Sequence, residues 1–198
     1  MLTLKANELR ATLHASAKND VRYYLNGTLL ENRGQKFYLV STDGHMLFAG
    51  EAHVEYDGDP NLRTWKREII IQRETIELAL KVNKVNVVLK AVSAETYSLG
   101  GVEFTPIDAK YPDWLRVTPT EISGDTAQFN PDLLVRGNKA LCDWHGSKGA
   151  IGHLQHNGNA AALLTCSDPT CYVVVMPMRS GASSKPFKVD QEQMAQAA

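Results

Sequence analysis

The strongest constraint on the fold is an order of strand, helix and strands that occurs twice within residues 1–109. The first copy starts with LTLK, continues into a helix with Leu9 and Leu13 on one face, and ends in β-branched and aromatic runs. Turn signals such as Asp43-Gly44 divide those runs into strands. The second copy repeats the order from EIIIQRETIELAL to VEFTPID. This repetition predicts an α+β architecture built from similar units.

A third and shorter copy follows the proline-containing connector YPDWLRVTPTEISGDT. We predict a strand at TAQF, a helix at PDLLVRGNKALCDW with proline at its start, and strands at GAIGHLQH, AALLTCSD and CYVVVMPM. Residues 180–198 have no pattern of core positions and are predicted to form a flexible tail. The predicted divisions are therefore 1–118, 119–179 and 180–198.

Composition narrows the class of protein. A chain of 198 residues with 43% apolar side chains can bury a substantial core. It has neither an apolar run long enough for a membrane span nor a secretory leader, so we expect a cytoplasmic protein without membrane partners. Its three cysteines do not make a disulfide framework. Because the formal net charge is −1, any contact with DNA requires cations gathered on one surface.

Four separated motifs carry a resemblance to a known family. In order along the chain, DVRYYLNGTLLE, LVSTDGHMLF, YPDWLRVTP and YVVVMPMR resemble the bacterial sliding clamp, the β subunit of DNA polymerase III. Residues 1–118 resemble the clamp's middle domain, and residues 119–179 the second half of its C-terminal domain. The resemblance implies clamp-fold repeats with helices on one face of curved antiparallel sheets, no enzymatic activity and no cofactor. The reduced size suits a clamp of a phage or mobile element.

The resemblance also implies two functional surfaces. Clamps encircle duplex DNA without reading its sequence, so cations on the inward helix faces are the expected phosphate contacts. The candidates for this DNA-facing surface are Arg10, His14, Lys18, Arg73, Lys81, Lys84, Arg136 and Lys139. The alternative for these residues is an ordinary solvated helix face.

The second surface is a hydrophobic groove in which clamps bind short peptide motifs of polymerases, loaders and repair proteins. Its predicted residues are Leu25, Thr42, Gly44, His45, Leu47, Pro112, Arg116, Val117, Val174, Val175, Met176, Pro177, Met178 and Arg179. Methionines suit such a groove because their flexible side chains repack around different peptides. The alternative for the MPM segment is the end of a core strand.

The chain departs from the family in three ways. Met46 replaces a commonly basic residue and makes one edge of the groove more apolar, and the chain continues past MPMR for 19 residues. That tail either folds over the groove or hangs free. Three units per chain leave the assembly open: four chains supply the units of a familiar ring, two chains complete one domain, and a monomer or dimer without encirclement is equally consistent.

Residue types of two other chemistries, a zinc site and a nucleophile with a base, also occur in the chain. Cys142, His145, His153 and His156 have spacings similar to those of a zinc site, but His153 and His156 point to opposite faces if they lie on one strand. Cys142, Asp43 and His45 supply the residue types of a nucleophile and a base, but no pattern places them together.

The sequence therefore predicts a homo-oligomeric, clamp-like processivity factor that contacts duplex DNA and binds polymerase-type and loader-type peptide motifs. The alternative is a clamp-derived peptide-binding module that does not encircle DNA and captures or competes for clamp-binding proteins.

Overall fold

The computed structural model describes residues 1–34, 36–56, 67–149 and 151–178; the predicted tail 180–198 lies outside them. The strands are β1 Leu2–Lys5, β2 Gly27–Arg33, β3 Lys36–Thr42, β4 Met46–Ala52, β5 Glu55–Tyr56, β6 Glu68–Gln72, β7 Asn86–Ala91, β8 Tyr97–Leu99, β9 Val102–Phe104, β10 His153–Gln155, β11 Ala162–Thr165 and β12 Cys171–Val175. The helices are α1 Ala6–Thr12, α2 Arg73–Val82, α3 Trp114–Val117 and α4 Pro131–His145, and a 3₁₀ helix covers Tyr23–Asn26.

The first two repeats exchange their opening strands. One sheet has the order β5-β1-β7-β8-β9, so β1 of the first repeat pairs antiparallel with β7 of the second. In return, β6 of the second repeat pairs antiparallel with β2 of the first. Each repeat thus completes the sheet of the other. The prediction of an α+β fold with repeated units and antiparallel sheets is confirmed.

The third repeat extends the sheet of the first. The larger sheet has the order β10-β11-β12-β4-β3-β2-β6, and β12 pairs antiparallel with β4 from Cys171 opposite Gly50 to Val175 opposite Met46. The main apolar core contains residues from both sides of the predicted boundary at 118, including Leu9, Phe48 and Leu141. The segments 1–118 and 119–178 therefore share one sheet and one core.

Helices cover the inner side of this sheet, and local sequence explains the bounds of the longest one. The side chain of Asn130 accepts a hydrogen bond from the Asp132 backbone N–H, and Pro131 occupies the first turn, where its missing N–H costs nothing. Gly146 ends α4 with φ +70°, a conformation that glycine adopts without strain. Between these ends, α4 packs against α1, which also contacts α2.

Three predicted element bounds differ from the structure. The predicted strand TAQF is wrong, because residues 121–130 form neither strand nor helix. The first helix ends at Thr12, beyond which the chain turns so that the Ala17 N–H reaches the Leu25 carbonyl. The last strand ends at Val175 rather than Met178, because Pro177 has no N–H for further pairing. No helix in the described part of the chain has the length and apolarity needed to cross a membrane.

Candidate functional site

An apolar groove opens on the sheet surface where β4 and β12 meet the connector before α4. It encloses about 200 Å³. Its lining residues are Arg22, Tyr24, Leu25, Thr42, Gly44, His45, Met46, Leu47, Pro112, Trp114, Val117, Val174 and Met176. Most of these side chains are apolar. Thr42 and His45 lie at the turn between β3 and β4, and the Arg22 guanidinium donates to the Asp43 carbonyl of that turn.

Strand alternation determines which residues of β12 face the groove. Successive side chains of a strand point to opposite faces. Val174 packs with Leu47 in the small core beneath the groove, whereas Val173 and Val175 belong to the main core under the helices. The prediction that Val175 forms part of the groove wall is therefore wrong. Beyond the strand, the Met176 N–H donates to the His45 carbonyl over 3.0 Å. This bond joins the end of β12 to the turn before β4.

Trp114 of α3 forms the opposite wall and is held from behind. Its indole N–H donates to the buried Glu31 carboxylate over 2.8 Å, and that carboxylate also pairs with Arg33 at 2.9 Å. The Arg33 guanidinium lies 5.3 Å from the centroid of the tryptophan ring, within the range of a cation–π interaction. Tyr38 contacts the ring at a centroid distance of 5.6 Å. These contacts fix the ring before any ligand arrives.

The turn Thr42-Asp43-Gly44-His45 forms the polar rim and is organised by the first two of its side chains. The Thr42 hydroxyl donates to the Met46 carbonyl over 2.7 Å and accepts from the Gly44 N–H. One oxygen of Asp43 accepts from the His45 and Met46 N–H groups at 2.8 and 3.0 Å. Gly44 adopts φ +90°, which side chains rarely tolerate.

The second oxygen of Asp43 connects this rim to the helix layer. It accepts from the Arg136 guanidinium of α4 over 2.8 Å, and the same guanidinium donates twice to the His14 carbonyl at the end of the first helix. The His14 ring in turn lies 2.7 Å from the Asp143 carboxylate. The turn, the first helix and α4 therefore form one hydrogen-bonded unit.

Comparison with known proteins gives both sequence relatives and fold relatives. No family model matches the chain. It is 34% identical over 113 residues to the β sliding clamp of Pseudomonas aeruginosa, a match that covers 54% of this chain and 30% of that protein. It is 30% identical over 118 residues to the β sliding clamp of Escherichia coli K12, with 56% and 30% covered. The matched region thus spans less than a third of these curated relatives.

Solved structures agree over more of the chain. The Caulobacter crescentus DNA polymerase III β structure matches with a TM-score of 0.65 at 18% identity, covering 90% of this chain and 65% of that one. A Helicobacter pylori β clamp bound to a DNA ligase peptide matches with a TM-score of 0.66 at 11% identity, covering 90% and 66%. The chain is therefore similar to β sliding clamps in sequence over about half of its length and in fold over 90% of it. Because identities to these structures are low, they bear on the fold alone.

The predicted residues that line the groove are Leu25, Thr42, Gly44, His45, Leu47, Pro112, Val117, Val174 and Met176. Arg116, Pro177 and Met178 do not line it, and Arg179 lies outside the described residues. Sequence reasoning missed Arg22, Tyr24 and Trp114, although each lies inside a motif that carried the clamp resemblance.

Three of the predicted DNA-facing residues hold the clamp fold together. Besides Arg136 and His14, whose bonds are given above, Arg73 donates to the Leu13 carbonyl at 2.6 Å and to the carbonyl and hydroxyl of Ser16. It also pairs with Glu77 and is only 14% exposed. These three side chains are therefore occupied by intramolecular bonds.

The remaining predicted cations are more accessible. Lys18, Lys81, Lys84 and Lys139 are exposed, and Arg10 is half-buried. His14 and Lys18 follow the end of α1, so the expected helical stripe of Arg10, His14 and Lys18 is not formed. The Lys84 ammonium donates to the Leu80 carbonyl, which caps the end of α2.

The side chains expected of a zinc site or of a nucleophile and base are not brought together among the described residues. Within the described ranges, no three His, Cys, Asp or Glu side chains lie close enough together to hold a metal ion. Asp43, considered above as part of a nucleophile and base arrangement, is instead engaged by Arg136 and by the backbone of its own turn.

Proposed function

We propose that this chain is a clamp-like processivity factor whose groove binds short apolar peptide segments of polymerase-type and loader-type proteins. Its helix layer contacts duplex DNA through backbone phosphates without reading sequence. The groove is the observation that carries the proposal. The protein performs no chemistry on its partners and raises processivity by holding them near the DNA, where the effective concentration is high.

The groove suits peptide side chains rather than small polar ligands. Its base is formed by Leu47 and Val174, and Trp114 presents a fixed aromatic surface. Met176, which is 39% exposed, lines it with a side chain that repacks around different anchors. The Met46 side chain, paired with Val175, is instead buried in the main core and does not supply the apolar groove edge expected of it. At the rim, His45 is exposed, and its ring can contact polar atoms of the peptide backbone. An apolar pocket with a polar rim is the usual form of such a binding surface.

A pair of methionine variants tests the groove directly. The probe is the fluorescein-labelled DNA ligase peptide of the Helicobacter pylori complex, titrated with the full chain and followed by fluorescence anisotropy. Met176→Ala removes a lining side chain that is 39% exposed, so it should weaken binding by roughly 1–2 kcal/mol with little effect on folding. Met178→Ala is the matched control, because Met178 is 51% exposed and does not line the groove.

The outcome distinguishes the groove from its surroundings. Equal loss of affinity in both variants would place the peptide along the strand end rather than in the groove. Unchanged affinity in Met176→Ala, with the peptide still bound, would remove the groove from the proposal.

The DNA contact is proposed for exposed lysines that form no ion pair within the described residues. Lys18 and Lys81 are exposed on the helix side of the first two repeats. Lys90 is an exposed control on β7, where Val87 and Leu89 point inward and Lys90 points to the opposite face. Replacing Lys18 and Lys81 with glutamate should weaken binding to a labelled duplex and reduce its salt dependence, since fewer counterions are released. Lys90→Glu should leave both quantities close to those of the parent chain.

A second candidate function is favoured because three of the predicted DNA-facing side chains form bonds within the chain. Because Arg73, Arg136 and His14 are bound within the chain, fewer charges remain for phosphates than the sequence predicts. This supports a peptide-binding module that competes for clamp-binding proteins without encircling DNA. Peptide binding with no salt-dependent affinity for the duplex would decide for this second function.

A further inference from the structure

The third repeat lacks a covering strand that the first two repeats supply to each other. In those repeats, the strand that follows each helix is covered by the opening strand of the other repeat: β2 by β6, and β7 by β1. The strand that follows α4 is β10, which pairs with β11 and ends the larger sheet. Within the described residues, the outer edge of β10 has no strand beside it.

The third repeat also contains the segment that corresponds to an opening strand, but this segment does not form a strand. Residues 126–129 precede α4 as β1 precedes α1, yet they form no strand in this chain. The Gln128 carbonyl accepts a bond from the Met178 N–H. The third repeat therefore has both halves of a strand exchange, an open edge and an entering segment, without a partner repeat among the described residues.

An apolar surface lies next to this open edge. Val135 on the outer side of α4 is 51% exposed, and Ile151 just before β10 is 71% exposed. Between them, Leu134, Leu154 and Leu164 help to line a cavity of about 470 Å³. In the first two repeats, α1 and α2 contact each other. The outer face of α4 thus has the character of a helix–helix contact.

The charges on this face are arranged to suit a second copy of the same chain. Asp132 and Lys139 lie on either side of Val135 at helical spacing, both exposed. A two-fold axis perpendicular to α4 near Val135 makes two such helices antiparallel. Asp132 of each copy then faces Lys139 of the other, and the two Val135 side chains meet at the axis. A surface that complements itself in this way is what an isologous dimer requires.

We propose that two copies of this chain dock through the outer face of α4 and the open edge of β10. Residues 126–129 of each copy pair with β10 of the other copy. Within the chain, β1 pairs with β7 and β6 with β2 in the same way. The two third repeats then form one complete composite unit of the same design as the first two repeats. This dimer does not involve the peptide groove, so the two proposals can fail separately.

The test uses two charge reversals in the full chain. Asp132→Lys leaves positive charges at positions 132 and 139, and Lys139→Asp leaves negative charges at both. In a homodimer of either variant, like charges on the two copies therefore face and repel each other. In the 1:1 mixture, every contact between positions 132 and 139 joins opposite charges. Mass is measured by size-exclusion chromatography with light scattering over a range of concentrations. Circular dichroism confirms that each variant is folded.

We expect the parent chain to form dimers and each single variant to dissociate at least roughly tenfold more readily, because like charges then face each other twice. The mixture should recover the dimer, and the amides of β10 should exchange more slowly with deuterium in it than in either variant alone. A parent chain that is monomeric at all concentrations overturns the proposal. So does a mixture whose mass is no greater than that of its separate components.

Discussion

The contact between Gly50 and Trp144 provides a quantitative test of how the third repeat is fastened to the first. Gly50 lies on β4, and the Trp144 ring of α4 rests directly on it. A Cβ added at Gly50 would lie 2.6 Å from the ring atom Cζ2 and 2.7 Å from Cζ3, closer than real contacts allow. The ring cannot easily move aside, because Trp144 is buried, its N–H donates to Thr170, and it packs against Phe48.

Two opposing effects determine the result of Gly50→Ala. The backbone of Gly50 is not left-handed, so alanine is compatible with it and should stabilise by about 0.4–1 kcal/mol through the unfolded state. Overpacking against the ring costs about 1–3 kcal/mol. We expect the cost to prevail, with a net destabilisation of roughly 1–2 kcal/mol and a fall in Tm of about 2–4 °C for each kcal/mol in a chain of this size.

The assay is urea unfolding followed by circular dichroism, performed as a double-mutant cycle. Trp144→Phe removes the outer ring atoms that meet the added methyl group, so Gly50→Ala should cost less in that background, with a coupling of about 0.5–3 kcal/mol. Gly149→Ala is the control, because its added Cβ would meet no atom closer than 3.6 Å. The reasoning is refuted if Gly50→Ala costs the same in both backgrounds.

Three further predictions concern charge, pH and thiol reactivity. Arg136→Met should destabilise by about 1–3 kcal/mol in urea unfolding, because it leaves the partners of its charge-assisted bonds unsatisfied. Lys81→Met, at an exposed position of α2, should cost less than about 0.5 kcal/mol. Burial raises the pKa of the Glu8 carboxyl above its ordinary value of 4.5. Its contribution to the free energy of unfolding is therefore present below pH 4.5 and is lost as pH rises through the folded pKa. Glu8→Gln should flatten this dependence of the unfolding free energy on pH. Burial also raises the pKa of the Cys171 thiol, so mass spectrometry after native alkylation should find Cys166 modified and Cys171 protected until the chain unfolds.

Local sequence patterns were sufficient to predict the repeats and most of their elements. Alternating and helical spacings found β6, α2 and β7 because each buries one face against the same core. The predicted strand at TAQF failed for a different reason. A strand requires a neighbour, and among the described residues no strand pairs with residues 126–129, whose Gln128 carbonyl accepts a bond from the Met178 N–H instead. Pairing between repeats is a tertiary property that no local pattern contains.

The difference between local patterns and tertiary contacts also explains the outcome for the groove residues and for the predicted DNA-facing cations. The resemblance identified Leu47, Val174 and Met176, but it placed Val175 on the wrong face because the motif was taken as a continuous wall rather than as an alternating strand. Arg73 and Arg136 have the residue type expected of phosphate contacts. Their intramolecular partners are backbone carbonyls and carboxylates distant in sequence, so their structural role appears only when the first helix and α4 meet.

Arg136 and Asp43 give α4 a part in both proposed surfaces. On its inner side, the Arg136 guanidinium holds the carboxylate that organises the rim of the groove. On its outer side, Val135 and its flanking charges face the open edge of β10. Because α4 packs against α1, the Arg136 guanidinium holds the turn at Asp43 against both helices. The third repeat is therefore placed to hold the groove in shape with one face while it meets a second copy with the other.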